Sequence, residues 1–232
     1  MEEKNFQRFS SYEEDIQNDL WRIFKIMGEF VEGYDRMFKI GPCVSLFGSA
    51  RLKPDNPHYK TAVDIAQKFT ELGFGVITGG GPGIMEAGNR GAQLGNGKSV
   101  GLCISLPFEE EPNPYVDPKN VLKFNYFFVR KVMFMKYAQG FIILPGGFGT
   151  LDELFEALTL IQTNKISRFP VVMVGTDYWG GMVDWIKKRM VEEGTISESD
   201  LDLFVLTDSV DEVIKIVSDF YLRNKLKPNF NY

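Results

Sequence analysis

The sequence holds a single histidine and two cysteines in 232 residues. Histidine is the usual base of nucleophilic triads and a common ligand of catalytic zinc, so its scarcity argues against both chemistries. His58 stands in a polar loop and reads as an ordinary surface residue. Cys43 and Cys103 each fall in an apolar, strand-like run, which predicts buried free thiols rather than a disulfide or a metal pair. A basic surplus is missing too. The formal net charge is −5, whereas a dedicated nucleic-acid binder would carry a basic patch. No apolar stretch approaches the ~20 residues that span a bilayer. Met1-Glu2-Glu3-Lys4-Asn5 lacks the pattern of a secretory signal. These absences predict a cytoplasmic enzyme or binding protein with no nucleic-acid or membrane partner. Its chemistry must run on carboxylates, arginine, lysine and backbone amides.

The length fits one α/β domain with an added helical arm. In the arm, Ile16, Leu20, Ile23, Met27, Phe30, Tyr34 and Met37 recur at spacings of four and three, which predicts an amphipathic helix over 11–38. From residue 43 onward, short apolar strands alternate with periodic helices. Strands are expected at 43–47, 75–78, 99–104, 121–124, 140–144, 171–174 and 204–206. Helices are expected at 59–72, 84–94, 127–137, 151–163, 180–193 and 209–222. Residues 106–120 hold four prolines and the acidic run Glu109-Glu110-Glu111, so they read as an excursion. The alternation predicts a parallel sheet with helices on both faces. The division expected is an arm over 1–40, a nucleotide-binding domain over 41–222 and a tail over 223–232.

Glycine is abundant where it matters. Gly48-Ser49-Ala50-Arg51, Gly79-Gly80-Gly81-Pro82-Gly83 and Gly146-Gly147-Phe148-Gly149-Thr150 each sit where a strand ends and a helix approaches. In an open parallel sheet such turns share one edge, where ligands bind. Glycine-rich turns entering helices present backbone N–H groups and the positive end of a helix dipole to anions. Candidate phosphate or sugar contacts are therefore Gly48, Ser49, Gly80, Gly81, Gly83, Gly146, Gly147, Gly149 and the Thr150 hydroxyl. Neither glycine cluster gives Gly-x-Gly-x-x-Gly, because Glu86 and Asp152 stand at the third positions. Gly97-Lys98-Ser99 resembles the end of a P-loop, but Ala92 replaces its first glycine and the segment precedes a strand.

Thr150-Leu151-Asp152-Glu153 also matches a helix capping box, with Thr150 as N-cap and Glu153 at N3. The carboxylate of Glu153 is thus open to two readings, a cap or a reactive group beside the loop. Arg130-Lys131 precedes the strand that delivers the loop; Arg130 either covers a helix or enters the pocket, where a guanidinium clamps phosphate or carboxylate bidentately. Glu86 is a second carboxylate on the other glycine loop, and Lys131 a further cation beside Arg130.

Gly79 through Glu86, Arg130-Lys131 and Pro145-Gly146-Gly147-Phe148-Gly149-Thr150-Leu151-Asp152-Glu153 together resemble the LOG ("lonely guy") family over about residues 42–220. These are cytokinin riboside 5′-monophosphate phosphoribohydrolases, long labelled lysine decarboxylases. The resemblance implies a Rossmann-like fold and hydrolysis of the N-glycosidic bond of adenine-type nucleoside 5′-monophosphates, with no metal or organic cofactor. It carries the family's catalytic arginine and glutamate to Arg130 and Glu153. It also implies a homodimer or larger assembly, as does the aromatic and methionine content of the helices at 16–38 and 127–137. Plant-type members have a His-Glu pair before the arginine, where this chain has Phe128-Val129. Molybdenum-cofactor carriers resemble the same fold and loop, so a non-catalytic carrier is the alternative. A nucleotide-responsive regulator using the N-terminal helix is a third reading.

Overall fold

The structure is a computed structural model that describes residues 3–106 and 111–224, with side chains described over 20–106 and 111–223. The side chain of Ile16, the acidic residues Glu109 and Glu110, and the expected tail beyond residue 224 lie outside the described residues.

The chain opens with one long helix, α1 (Glu3–Phe38). Strand and helix then alternate: β1 (Cys43–Phe47), α2 (Pro57–Glu71), β2 (Gly75–Thr78), α3 (Ile84–Leu94), β3 (Ser99–Ile104) and β4 (Val121–Phe124). The second half holds α4 (Phe127–Tyr137), β5 (Ala138–Ile143), α5 (Phe148–Gln162), β6 (Val171–Val174), α6 (Thr176–Trp185), β7 (Val205–Thr207) and α7 (Val210–Asn224). α6 continues into a π-helical turn, Ile186–Val191, so the helix expected over 180–193 starts earlier and loosens at its end. All seven strands join one sheet in the order β4-β3-β2-β1-β5-β6-β7, and every pairing is parallel.

Side chains on successive strand residues point to opposite faces, and the two faces build two cores. Cys43, Phe47, Ile77, Val100, Phe141, Ile143 and Met173 meet α4, α5 and α6 on one side. Val44, Leu46, Val76, Ile142, Leu144 and Val174 meet α2, α3 and α7 on the other. Strands buried on both faces explain the near-continuous apolar runs of the sequence. Phe47 anchors the first core, its ring 4.9 Å from Phe134 and 4.8 Å from Phe141. Such aromatic pairs add about 0.5–1.5 kcal/mol each beyond their area burial. They tie β1, β5 and α4 together beneath the edge where the glycine turns lie.

The strand order reverses between β1 and β5. From β1 the chain winds outward through β2, β3 and β4, then returns to place β5 on the other flank of β1. β1 and β5 end in register, Phe47 opposite Ile143. The following helices leave toward opposite faces, which opens a crevice at the carboxyl ends of these two strands. α1 lies outside this sheet and crosses α4. Gly33 fits against Met133, Glu29 accepts from the N–H of Asn125 at 2.9 Å, and Arg36 donates to the carbonyls of Lys119 and Val121 at 2.9 and 2.8 Å.

Candidate active site

The crevice is a cavity of about 670 Å³. The β1–α2 turn contributes Gly48, Ser49, Ala50, Arg51 and Leu52, the β5–α5 turn contributes Pro145, Gly146 and Gly147, and Phe148 opens α5 at the same wall. α4 supplies Arg130 and Phe134, α5 supplies Gly149, Thr150 and Glu153, and α6 supplies Tyr178. Backbone bonds fix the turns to each other. The Ser49 N–H donates to the Pro145 carbonyl at 2.9 Å, and the Ile84 N–H donates to the Ser49 carbonyl at 3.0 Å. The Tyr178 hydroxyl donates to the Gly146 carbonyl at 2.8 Å, pinning the glycine turn from α6.

The first turn of α5 departs from the expected capping box. The N-cap is Gly147, which offers no side-chain bond, and the helix starts at Phe148 rather than after Thr150. Thr150 therefore lies inside the first turn, and Glu153 falls in the second, too far along to cap. The Thr150 N–H bonds back to the Gly147 carbonyl at 3.0 Å. The N–H groups of Phe148 and Gly149 are left without an intrahelical acceptor, as at any helix start. They stand at the cavity wall. A Cβ added to Gly147 or Gly149 would meet nothing within 4 Å, so the absent side chains leave open cavity.

Thr150, Glu153, Leu154, Ala157 and Ile161 form the buried face of α5. Glu153 is thus a carboxylate on the core side of a helix, 4% exposed, with Oε2 buried and no hydrogen-bond partner. Burying such a group without a partner is costly. Burial is the main cause that pushes its carboxyl from 4.5 up to about 7; the cations Arg130 and Lys131 pull the other way, and Glu156 and Asp152 push further up. Arg130 is half-buried across the cavity, its guanidinium 5.0 Å from the Phe127 ring centre and 5.8 Å from that of Phe134. Its Nε is also buried without a hydrogen-bond partner. Burial lowers its pKa, and the Glu153 charge opposes that shift. Arginine stays protonated under any such shift. A guanidinium and a carboxylate, each with an unsatisfied buried polar atom, face one cavity beside helix-start amides.

The structure brings together Gly48, Ser49, Arg130, Gly146, Gly147, Gly149, Thr150 and Glu153 around this cavity. Five other sequence candidates stand outside its lining. Gly83, at φ +69, packs where a Cβ would lie 2.3 Å from the Ser49 carbonyl oxygen, so it serves the fit between turns. Gly80 (φ +75) abuts the Cys103 sulfur, and the carbonyls of Gly80 and Gly81 accept from Asn113 Nδ2 at 3.1 and 2.9 Å. Glu86 accepts from the Tyr59 hydroxyl at 2.7 Å. Lys131 pairs with Asp152 and Glu156 on α5. His58 stands in the first turn of α2, its N–H bonded to Asn56 Oδ1, and it does not line the cavity. Cys103 is only half-buried, unlike Cys43, whose thiol burial pushes up to about 12.

Sequence reading missed Tyr178, Met85, Leu52 and Phe148 as lining residues. Phe148 carried a usable signal: an aromatic between two glycines at a helix start has nothing of its own chain to pack on, and it is 91% exposed. Tyr178 carried none, because only the β5–β6 adjacency brings α6 to the glycine turn.

A family model described as possible lysine decarboxylase matches residues 85–217. The cytokinin riboside 5′-monophosphate phosphoribohydrolase LOG3 of Arabidopsis thaliana is 28% identical over 177 residues, 75% of this chain and 80% of that protein. The probable cytokinin riboside 5′-monophosphate phosphoribohydrolase LOG4 of Oryza sativa subsp. japonica is 31% identical over 157 residues, 66% of each chain. Among solved structures, the structural-genomics target TM1055 superposes with a TM-score of 0.58 at 22% identity, covering 77% of this chain and 99% of that one. The molybdenum cofactor binding protein of Rippkaea orientalis gives 0.55 at 20% identity over 77% and 94%. At these identities the two structures share the fold with this chain.

Proposed function

The chain belongs to the LOG family, and from that premise we propose that it hydrolyses the N-glycosidic bond of purine nucleoside 5′-monophosphates, giving free base and ribose 5-phosphate. One observation carries the reading. Glu153, buried on the core face of α5, keeps a carboxylate oxygen without a partner in the same cavity as Arg130 and the glycine turn. A helix cap or a surface salt bridge would not require that placement.

In this mechanism the N–H groups at the start of α5 and the Thr150 hydroxyl hold the 5′-phosphate, which fixes the sugar in the crevice. Breaking the C1′–N9 bond sends its electron pair to the base and leaves positive charge on the ribose. The Glu153 carboxylate stabilises that charge and takes a proton from the attacking water, whose oxygen bonds to C1′. The departing base gains a proton at nitrogen from solvent, and Glu153 returns to solvent the proton it took from water, which closes the cycle. Arg130 balances the phosphate and carboxylate charges and orients the substrate. Gly48 and Ser49 border the ribose side. Because Glu153 acts ionised and titrates near 7, activity falls as pH drops below about 7.

A non-catalytic nucleotide or molybdenum-cofactor carrier would use the same turn. A buried carboxylate beside a bound anionic phosphate weakens simple binding, which favours the enzyme. The same reading makes the protein a cytoplasmic homodimer or larger assembly, with α1 as an arm beyond the catalytic domain. Purified protein incubated with AMP is expected to release adenine and ribose 5-phosphate in equal amounts. Stable AMP binding with no adenine released would sink the enzymatic reading.

A further inference from the structure

Lys131, Asp152 and Glu156 lie outside the cavity lining, yet they stand between the two helices that furnish its charged groups. The Lys131 ammonium is 2.8 Å from Asp152 Oδ1 and 2.7 Å from Glu156 Oε2. Asp152 and Glu156 are one turn apart on α5, so a single cation from α4 grips two positions of one stripe of its neighbour. The lysine side chain is 14% exposed, against 58% and 34% for the two acids. An ammonium this withdrawn is screened less than the exposed pairs whose median contribution is near zero. Arg130 is the residue before Lys131, and Glu153 is the residue after Asp152. The clasp is therefore made by the immediate chain neighbours of the two groups that face the cavity.

We propose that Lys131 is a positioning residue, locking α4 to α5 through Asp152 and Glu156 and so setting the spacing of Arg130 and Glu153. The proposal rests on the reading of those two residues as the reacting pair. It assigns Lys131 no contact with substrate, since its ammonium is turned to the flank of α5. The clasp also has an electrical side. One cation against two acids leaves an excess negative charge beside Glu153. The charged groups acting on Glu153 are Arg130 and Lys131 from α4, and Asp152 and Glu156 from α5. Removing the lysine deprives the Glu153 carboxylate of a favourable neighbour and exposes it to two unbalanced acids. Removing the acids does the reverse.

The test compares Lys131→Met, Lys131→Arg and the double variant Asp152→Asn with Glu156→Gln. AMP hydrolysis is followed across pH, and the Glu153 carboxyl is titrated by ¹³C NMR. In Lys131→Met, kcat is expected to fall on the order of ten- to a hundredfold, the scale of a small misplacement of reacting groups, with KM for AMP little changed. The acid limb of the rate profile and the NMR midpoint should both move up. In the double variant both should move down. Lys131→Arg, which keeps the charge but not the ammonium geometry, should hold the midpoint while recovering kcat only in part. A raised KM with kcat and midpoint unchanged would make Lys131 a substrate ligand and overturn the proposal. If Lys131→Met fails to fold, the double variant, which opens the same clasp but keeps the cation, decides by its kcat: a fall with KM little changed supports the positioning role, and an unchanged kcat overturns it. If the unmodified protein releases no base from AMP, the catalytic reading fails instead. Opposite midpoint shifts would even then support the clasp, and unmoved midpoints would overturn it.

Discussion

A carboxylate on the core side of a helix lowers stability whenever it is ionised, and Glu153 is placed that way. Its folded-state value of about 7 lies above the ordinary 4.5, so folding favours the protonated form. The stability conferred by that proton is full below about 4.5 and is lost as pH rises through about 7. One pKa unit corresponds to ~1.4 kcal/mol. Glu153→Gln, which cannot ionise, should therefore unfold at a higher temperature than the unmodified protein above pH 8, by on the order of 3 kcal/mol of stability. Near pH 4 the two should be alike. The same substitution should lower kcat by roughly 10²–10⁴, as expected for loss of an acid–base group. Gain in stability with loss of turnover is the signature of a residue kept for chemistry. Thermal unfolding at both pH values and an AMP hydrolysis assay read the two halves separately. A Gln variant with near-normal turnover, or one destabilised at pH 8, would return Glu153 to a structural role.

The first turn of α5 carries the next expectation. Gly149 is a helical residue whose added Cβ would meet nothing of the protein. Alanine is favoured over glycine in a helix interior by about 1 kcal/mol, so Gly149→Ala should raise the melting temperature slightly. The new methyl enters the space beside the free amides, and AMP affinity should fall at least tenfold. Unchanged KM would show that the phosphate lies elsewhere. If these amides hold phosphate, adenosine should also be a far poorer substrate than AMP, and ribose 5-phosphate should inhibit competitively. Equal kcat/KM for adenosine and AMP would refute that placement. This element also shows where the sequence could and could not be read. The glycine run marked the turn, and the periodicity of Leu154, Leu158 and Ile161 marked the helix. The Thr-x-x-Glu pattern misplaced its start, because a capping box needs Thr150 outside the helix and the backbone already turns at Gly147. Lys131 and Glu86 looked like ligands for a related reason. Spacing along the chain locates a charged residue near a site, but only the helix azimuth decides whether it faces the cavity, α5 or Tyr59.

At the scale of the whole molecule, the parallel sheet was legible in the alternation of apolar runs, whereas periodicity gave neither the order of its strands nor a separation of the two faces of α1. The stripe read from sequence mixes them: Phe30 packs against the core and Met37 is buried, but Leu20, Ile23 and Met27 are exposed. The structure resolves a second stripe, Leu20, Phe24, Met27, Val31, Tyr34 and Phe38, at spacings of four, three, four, three and four. Every member is at least 38% exposed. That spacing is the a/d seam of a coiled coil, and a continuous apolar surface of this kind is unusual on a monomer. The helix is held to the domain by Glu29, Gly33 and Arg36, and the Lys136 ammonium stands 5.3 Å over the Tyr34 ring at one edge of the seam, while Leu20, Phe24, Met27, Val31 and Phe38 stay exposed. Pairing of α1 seams between two copies would cover it. The protein is therefore expected to sediment as a dimer or larger species at low micromolar concentration. Phe24→Glu with Val31→Glu, which sets charges in the middle of the seam without touching the cavity, should shift it toward a monomer. Light scattering checks both, since the chain mass is 26.4 kDa. A single species of that mass for the unmodified protein would leave the seam without a partner copy and refute the assembly.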